Sequence, residues 1–100
     1  MSLIVAGIFR IPPENLDALI APMRAVAEAT RAEEGCLTYS YAIDVMEPGL
    51  IRVFEIWRDR ACLDAHFQAP HMKTWQTARL GLGLFDRQIS CYDIASESAL

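Results

Sequence analysis

Cys36-Leu-Thr-Tyr-Ser-Tyr-Ala-Ile-Asp44, Glu47-Pro48-Gly49 and Leu50-Ile-Arg-Val-Phe-Glu-Ile-Trp57 read as strand, turn, strand. Leu37, Tyr39, Tyr41 and Ile43 alternate with Cys36, Thr38, Ser40 and Ala42, the period-two pattern of a half-buried strand. Pro48 and Gly49 stand where a type II turn places them, Pro for its fixed φ and Gly for a positive one. In the second strand Ile51, Val53, Glu55 and Trp57 share one face, and Arg52, Phe54 and Ile56 the other.

Upstream of this hairpin, Leu16, Leu19, Ile20, Met23, Val26 and Ala27 recur at three and four residues, predicting an amphipathic helix that runs to Glu34-Gly35. Pro22 inside it should kink the helix or start a second segment, because it lacks a backbone donor and crowds the preceding turn. Leu3 to Arg10 predicts a first strand, apolar on both faces and ended by Pro12-Pro13. Downstream, Asp59 is a good N-cap for a helix from about Arg60 to Ala69. Pro70 interrupts it, and a second segment starts at His71 and stops near Gly81. After a loop from Gly81 to Phe85, the last strand spans Arg87 to Ala95, and Ser96 to Leu100 form a tail. The order βαββαβ is the ferredoxin-like plan of an α+β fold, with a four-stranded antiparallel sheet in one domain over residues 1–100 and a core over 3–95.

Composition narrows the function. Nine Lys and Arg against 13 Asp and Glu give a net charge of −4. With no basic run, the chain lacks the clustered cations that nucleic-acid binding requires. Apolar residues make up 53% of the chain. A domain of this size covers only about 60–70% of its chain's surface, so an apolar excess predicts a partner or ligand. The first strand points the same way: helices cover one face of such a sheet, and a second copy would cover the other. Leu3 to Phe9 is too short to span a bilayer and follows no basic residue, so neither a membrane span nor a signal peptide is expected. Three cysteines without CxxC spacing suit reduced thiols in a cytoplasmic protein.

No GxGxxG, GxxxxGK[ST] or GxSxG is present, which removes nucleotide-binding and serine-hydrolase readings. The residues that could carry chemistry gather after the third strand. His66 shares the apolar side of its helix with Leu63 and Phe67. It is either a core histidine tied by one hydrogen bond or a base projecting into a pocket. His71 follows five positions later, a spacing that puts the two rings on different sides of a continuous helix. A two-histidine metal site is therefore not expected. Glu55, on a face otherwise apolar, must be paired or protonated if buried, an Arg partner being the commoner solution. Trp57 and Trp75 supply apolar bulk with one N–H each. Tyr39 and Tyr41 share a strand face, so a phenol could enter the same interior.

Glu34-Gly-Cys-Leu-x-Tyr39, the Pro48-Gly49 turn, Phe54-Glu-Ile-Trp-Arg-Asp59, Ala61-Cys-Leu-Asp-Ala-His66 and Pro70-His-Met72 follow in order. Together they resemble the antibiotic biosynthesis monooxygenase domain family, which includes quinol monooxygenases, over essentially the whole chain. The resemblance implies a dimeric α/β barrel, a homodimer of ferredoxin-like subunits packed sheet to sheet. It also implies oxygenation of a small aromatic quinol or phenol by O2 with no flavin, haem or metal. His66 is then the candidate base, with His71 and Tyr39 as further catalytic candidates. Trp57, Glu55, Phe67, Met72 and Trp75 are the candidate pocket residues. A related branch degrades haem with an Asn on the first strand and a later Trp and His. Here that strand has no Asn, and the later positions fall on His66 and Gln76, so haem degradation is not expected. A non-catalytic dimer that binds an apolar small molecule, or an isomerase on the same scaffold, remains the alternative.

Overall fold

The computed structural model describes residues 1–100. Strand β1 (Leu3–Arg10) leads through a short 3-10 turn (Pro13–Asn15) into helix α1 (Leu16–Arg31). The hairpin follows as β2 (Cys36–Ile43) and β3 (Leu50–Trp57), then α2 (Arg60–Phe67), α3 (Pro70–Gly81) and β4 (Phe85–Asp93). All neighbours in the sheet are antiparallel, in the order β2-β3-β1-β4. This is the expected α+β, ferredoxin-like arrangement.

Local chemistry accounts for several boundaries. Leu50 N–H closes the hairpin turn on the Glu47 carbonyl at 3.2 Å, and Gly49 takes φ +85 at the position a type II turn reserves for glycine. The Asp59 side chain caps α2 by accepting from the Cys62 amide at 2.9 Å.

Other boundaries differ from expectation. α1 runs unbroken through Pro22 and ends at Arg31 rather than at Glu34-Gly35. Pro22 costs one backbone bond, which burial of Leu19, Met23 and Val26 on the same helix offsets. α2 ends at Phe67, and Pro70 itself opens α3, where its missing N–H is harmless. The last strand begins at Phe85, inside the expected loop, and ends at Asp93 rather than Ala95.

Alternation along the strands sorts the sheet into two faces. Leu3, Val5 and Phe9 of β1 lie opposite Trp57, Glu55 and Ile51 of β3 and are buried beneath the helices. α1 contributes Leu19, Met23 and Val26 to this core, and α3 contributes Met72 and Trp75. No helix covers the other face, where Phe54 and Tyr92 remain 42% and 55% exposed beside the half-buried Ile4, Ile8 and Ile56.

Candidate active site

Three helix ends converge on one carboxylate. As the chain leaves α1, the Glu33 amide donates to the Thr30 carbonyl at 2.9 Å, and Gly35 turns toward β2 with φ +77. Glu33 thereby sits against the last turn of α2 and the first turn of α3. Its Oε2 lies 2.7 Å from His66 Nδ1 and 2.8 Å from His71 Nε2. A carboxylate only accepts, so each of these nitrogens carries its proton toward Glu33. In neutral His66 the lone pair is then left on Nε2.

The expectation that His66 and His71 face different sides is overturned. Five residues on an unbroken helix rotate a side chain by about 500°, well out of alignment. Here Ala69, at φ −67 and ψ 141, is extended, because Pro70 disfavours the helical region for the residue before it. The break brings the two ring centroids to 6.2 Å. Glu33, His66 and His71 are also the chain's one cluster able to ligate a cation, with donor atoms all within 4.8 Å of one another. Ligands on a tetrahedral zinc stand about 3.3 Å apart, so a metal would have to force both present hydrogen bonds open.

His66 is only 1% exposed, and it lines a cavity of about 150 Å³ between the sheet, α2 and α3. Burial pushes its imidazole below the ordinary value of 6.5, against the upward pull of Glu33. The ring packs 4.8 Å from Trp57 and 5.5 Å from Tyr39 by centroids. Tyr39 and Tyr41 line the cavity, with their hydroxyl oxygens 2.9 Å apart. Burial raises both phenols, Tyr41 to about 12, so both stay protonated; one donates to the other, and the second keeps a hydrogen to offer a ligand.

Among the expected pocket residues, Glu55, Phe67 and Met72 line the cavity, as do His66 and Tyr39. Trp57 and Trp75 stand behind it, and His71 lies on the far side of Glu33. Glu55 has no Arg partner within ion-pair distance. It accepts the Trp57 indole N–H at 2.9 Å instead. Burial raises its carboxyl above the usual range, while the Trp57 donor and the Arg87 charge oppose that rise. Glu33, Tyr41, Arg79 and Arg87 were not among the site residues expected from sequence. Tyr41 was signalled by its shared parity with Tyr39; Glu33 carries no local signal.

Residues 2–78 match the family model described as Antibiotic biosynthesis monooxygenase. The chain belongs to this family. Among its relatives, the "Uncharacterized protein sll1783" of Synechocystis sp. is 34% identical over 98 residues, spanning 98% of this chain and 67% of its own length. The "Probable quinol monooxygenase YgiN" of Escherichia coli is 32% identical over 72 residues, covering 64% of this chain and 69% of its own. A solved structure from Deinococcus radiodurans superposes with a TM-score of 0.89 at 24% identity, over 100% of this chain and 98% of that one. Rv0793 of Mycobacterium tuberculosis superposes at 0.79 with 28% identity, over 99% and 100%. As a member of the antibiotic biosynthesis monooxygenase family, the chain shares its fold with these structures along essentially its full length.

Proposed function

We propose that this chain is a cofactor-independent monooxygenase that oxidises a small aromatic quinol or phenol with O2. The observation that carries this reading is the buried His66 imidazole, bonded to Glu33 at the wall of a cavity lined by Phe9, Tyr39, Tyr41 and Phe67. In this reading His66 Nε2 takes the hydroxyl proton of the substrate. The resulting electron-rich anion passes one electron to O2, and the two radicals join as a ring-bound peroxide. His66 returns its proton to the outer oxygen as the O–O bond breaks, and the peroxide-bearing ring carbon gives up its hydrogen as a proton, so one oxygen atom stays on the ring as a carbonyl and the other leaves as water. A phenol plus O2 thus gives a quinone plus water, and a quinol gives a hydroxyquinone plus water. The substrate supplies all four electrons, and no other reductant is consumed. Of the bonded pair Tyr39 and Tyr41, one hydroxyl donates to the other and the second is left to donate to the developing anion.

The working unit in this proposal is a homodimer, with the uncovered sheet face carrying Phe54 and Tyr92 packed against a second copy. Light scattering at micromolar concentration should give twice the chain mass; a stable monomer would overturn that part. Oxygen uptake with a panel of hydroquinones and naphthols, in chelator and without flavin, tests the reaction. Uptake that appears only with added metal or flavin would remove the cofactor-free claim. Saturable binding without any uptake would leave a small-molecule-binding protein.

A further inference from the structure

Most cations of this chain have partners. Arg10, Arg52, Arg58 and Arg60 each pair with a carboxylate, and Arg31 donates to the Tyr39 carbonyl. Arg24 and Lys73 are unpaired but stand exposed on helix surfaces. Arg79 and Arg87 differ from both groups. They reach the wall of the same cavity from α3 and β4, as Arg60 does from α2, but unlike Arg60, which pairs with Asp64, neither forms an ion pair or side-chain hydrogen bond within the chain. Arg79 is half-buried, its guanidinium 5.9 Å from the centre of the Trp75 ring. The Trp75 indole N–H is buried against the Tyr41 hydroxyl rather than open to the cavity. Arg79 is a half-buried charge with Arg87 close enough to repel it, and its partial desolvation costs free energy unless an anion meets the pair.

Glu55 is the one carboxylate on the cavity wall, and it is held by Trp57 rather than by either arginine. Aromatic contacts separate this cationic end from the base. From His66 they run to Tyr39 at 5.5 Å, on to Tyr41 at 5.4 Å, to Trp75 at 5.5 Å and then to Arg79. The tyrosine pair therefore lies on the packed path that joins the proton acceptor to the guanidinium, and neither group touches the other directly.

We propose that the substrate of this cavity is an aromatic anion, a phenol or quinol with a carboxylate-like group across the ring system from its hydroxyl, which Arg79 and Arg87 hold. The inference rests on the cavity being the substrate site, as argued above, and adds the substrate's charge and its polarity along the cavity. Planar guanidinium groups suit a carboxylate because they offer paired donors in a fixed fork. With the anionic end fixed there, the hydroxyl is delivered toward His66.

Calorimetric titration with 6-hydroxy-2-naphthoate and with 2-naphthol at neutral pH tests this without any turnover. The acid should bind roughly 10–100-fold more tightly than the naphthol, as charge-assisted hydrogen bonds at a partly buried site imply. Arg79→Gln and Arg87→Gln should each shrink that ratio, and added salt should narrow it. The ortho isomer 1-hydroxy-2-naphthoate should lose the preference, because its two groups cannot reach both ends. Equal affinity for acid and naphthol, or a ratio unchanged in both variants, would overturn the proposal. Arg87 is exposed, so its variant remains informative even if the Arg79 variant misfolds. Selective acid binding without oxygen uptake would refute the monooxygenase reading and leave the anion subsite standing. Oxidation of the naphthol with no preference for the acid would do the reverse.

Discussion

Glu33 and His66 stand 33 positions apart in the chain, yet Glu33 Oε2 lies 2.7 Å from His66 Nδ1. The carboxylate fixes which imidazole nitrogen keeps its proton, so in the proposed reaction the pair would act as an oriented base rather than as two isolated groups. Substituting either member should therefore slow turnover, but for different reasons. His66→Ala removes the acceptor and should lower kcat by roughly 10²–10⁴-fold. It should also lower Tm, because the ring is almost fully buried and Glu33 loses a donor. Glu33→Gln keeps an acceptor oxygen but loses the charge. It should weaken activity less and move the acidic limb of kcat/KM to lower pH, since Glu33 raises the His66 pKa. A His66→Ala protein with full activity per folded molecule would remove His66 from the mechanism, leaving His71 and Tyr39 as candidates.

The depressed His66 pKa has a consequence for stability as well. The unfolded chain binds that proton near the ordinary value of 6.5, whereas the folded chain resists it. The stability contribution is therefore fully present above about pH 6.5 and is lost as pH falls toward the folded value. Melting temperature should drop on acidification through that window, and the drop should be smaller in His66→Gln. The activity limb should lie below 6.5 as well. A limb above it would mean that another group titrates.

Glu55 and Trp57 form a second dependent pair. Glu55→Gln retains an acceptor for the buried indole N–H and removes the cost of burying charge, so stability at neutral pH should hold or rise. Glu55→Ala orphans that N–H and should cost about 1–3 kcal/mol in chemical denaturation. The Glu55 pKa is raised in the fold, so this group's contribution is complete below its ordinary 4.5 and declines as pH rises past it. The Gln variant should lack that decline.

Gly7 governs how closely β4 approaches β1. A Cβ there would lie 2.6 Å from Ile89 Cα and 2.9 Å from the Gln88 carbonyl carbon, and closer still to the Gln88 oxygen. These are backbone atoms that cannot swing aside. Gly7→Ala should cost about 1–3 kcal/mol or more, read from the denaturant midpoint. Because Ile89 and Cys91 line the cavity, the variant should also weaken binding of aromatic ligands. Unchanged stability would mean that the β1–β4 pairing adjusts freely.

What was legible in the sequence was mostly local. Alternation in β2 and β3, the Pro48-Gly49 turn and the Asp59 cap are each decided within a few residues. Of the two outcomes Pro22 allowed, a new segment does not occur: its local penalty is real, but the buried face that outweighs it belongs to tertiary packing. The histidine pair misled because helical spacing assumes a continuous axis, and the extended Ala69 before Pro70 resets it. Glu33 was invisible because nothing near it in sequence hints at partners on two later helices. The unpaired state of Arg79 and Arg87 could be seen only once every other cation had been placed.

The Glu33 carboxylate does mechanical service alongside its chemical role. By bonding rings on both sides of the Ala69–Pro70 break, it latches α2 to α3 across the joint between them. Any hinging there that widens the cavity must stretch or open one of the two bonds. If the His66 bond gives way, the imidazole is free to exchange tautomers, and its lone pair no longer points reliably at the ligand. Entry by that route and readiness of the base then exclude each other, so the latch would keep the proton acceptor idle until the joint has shut.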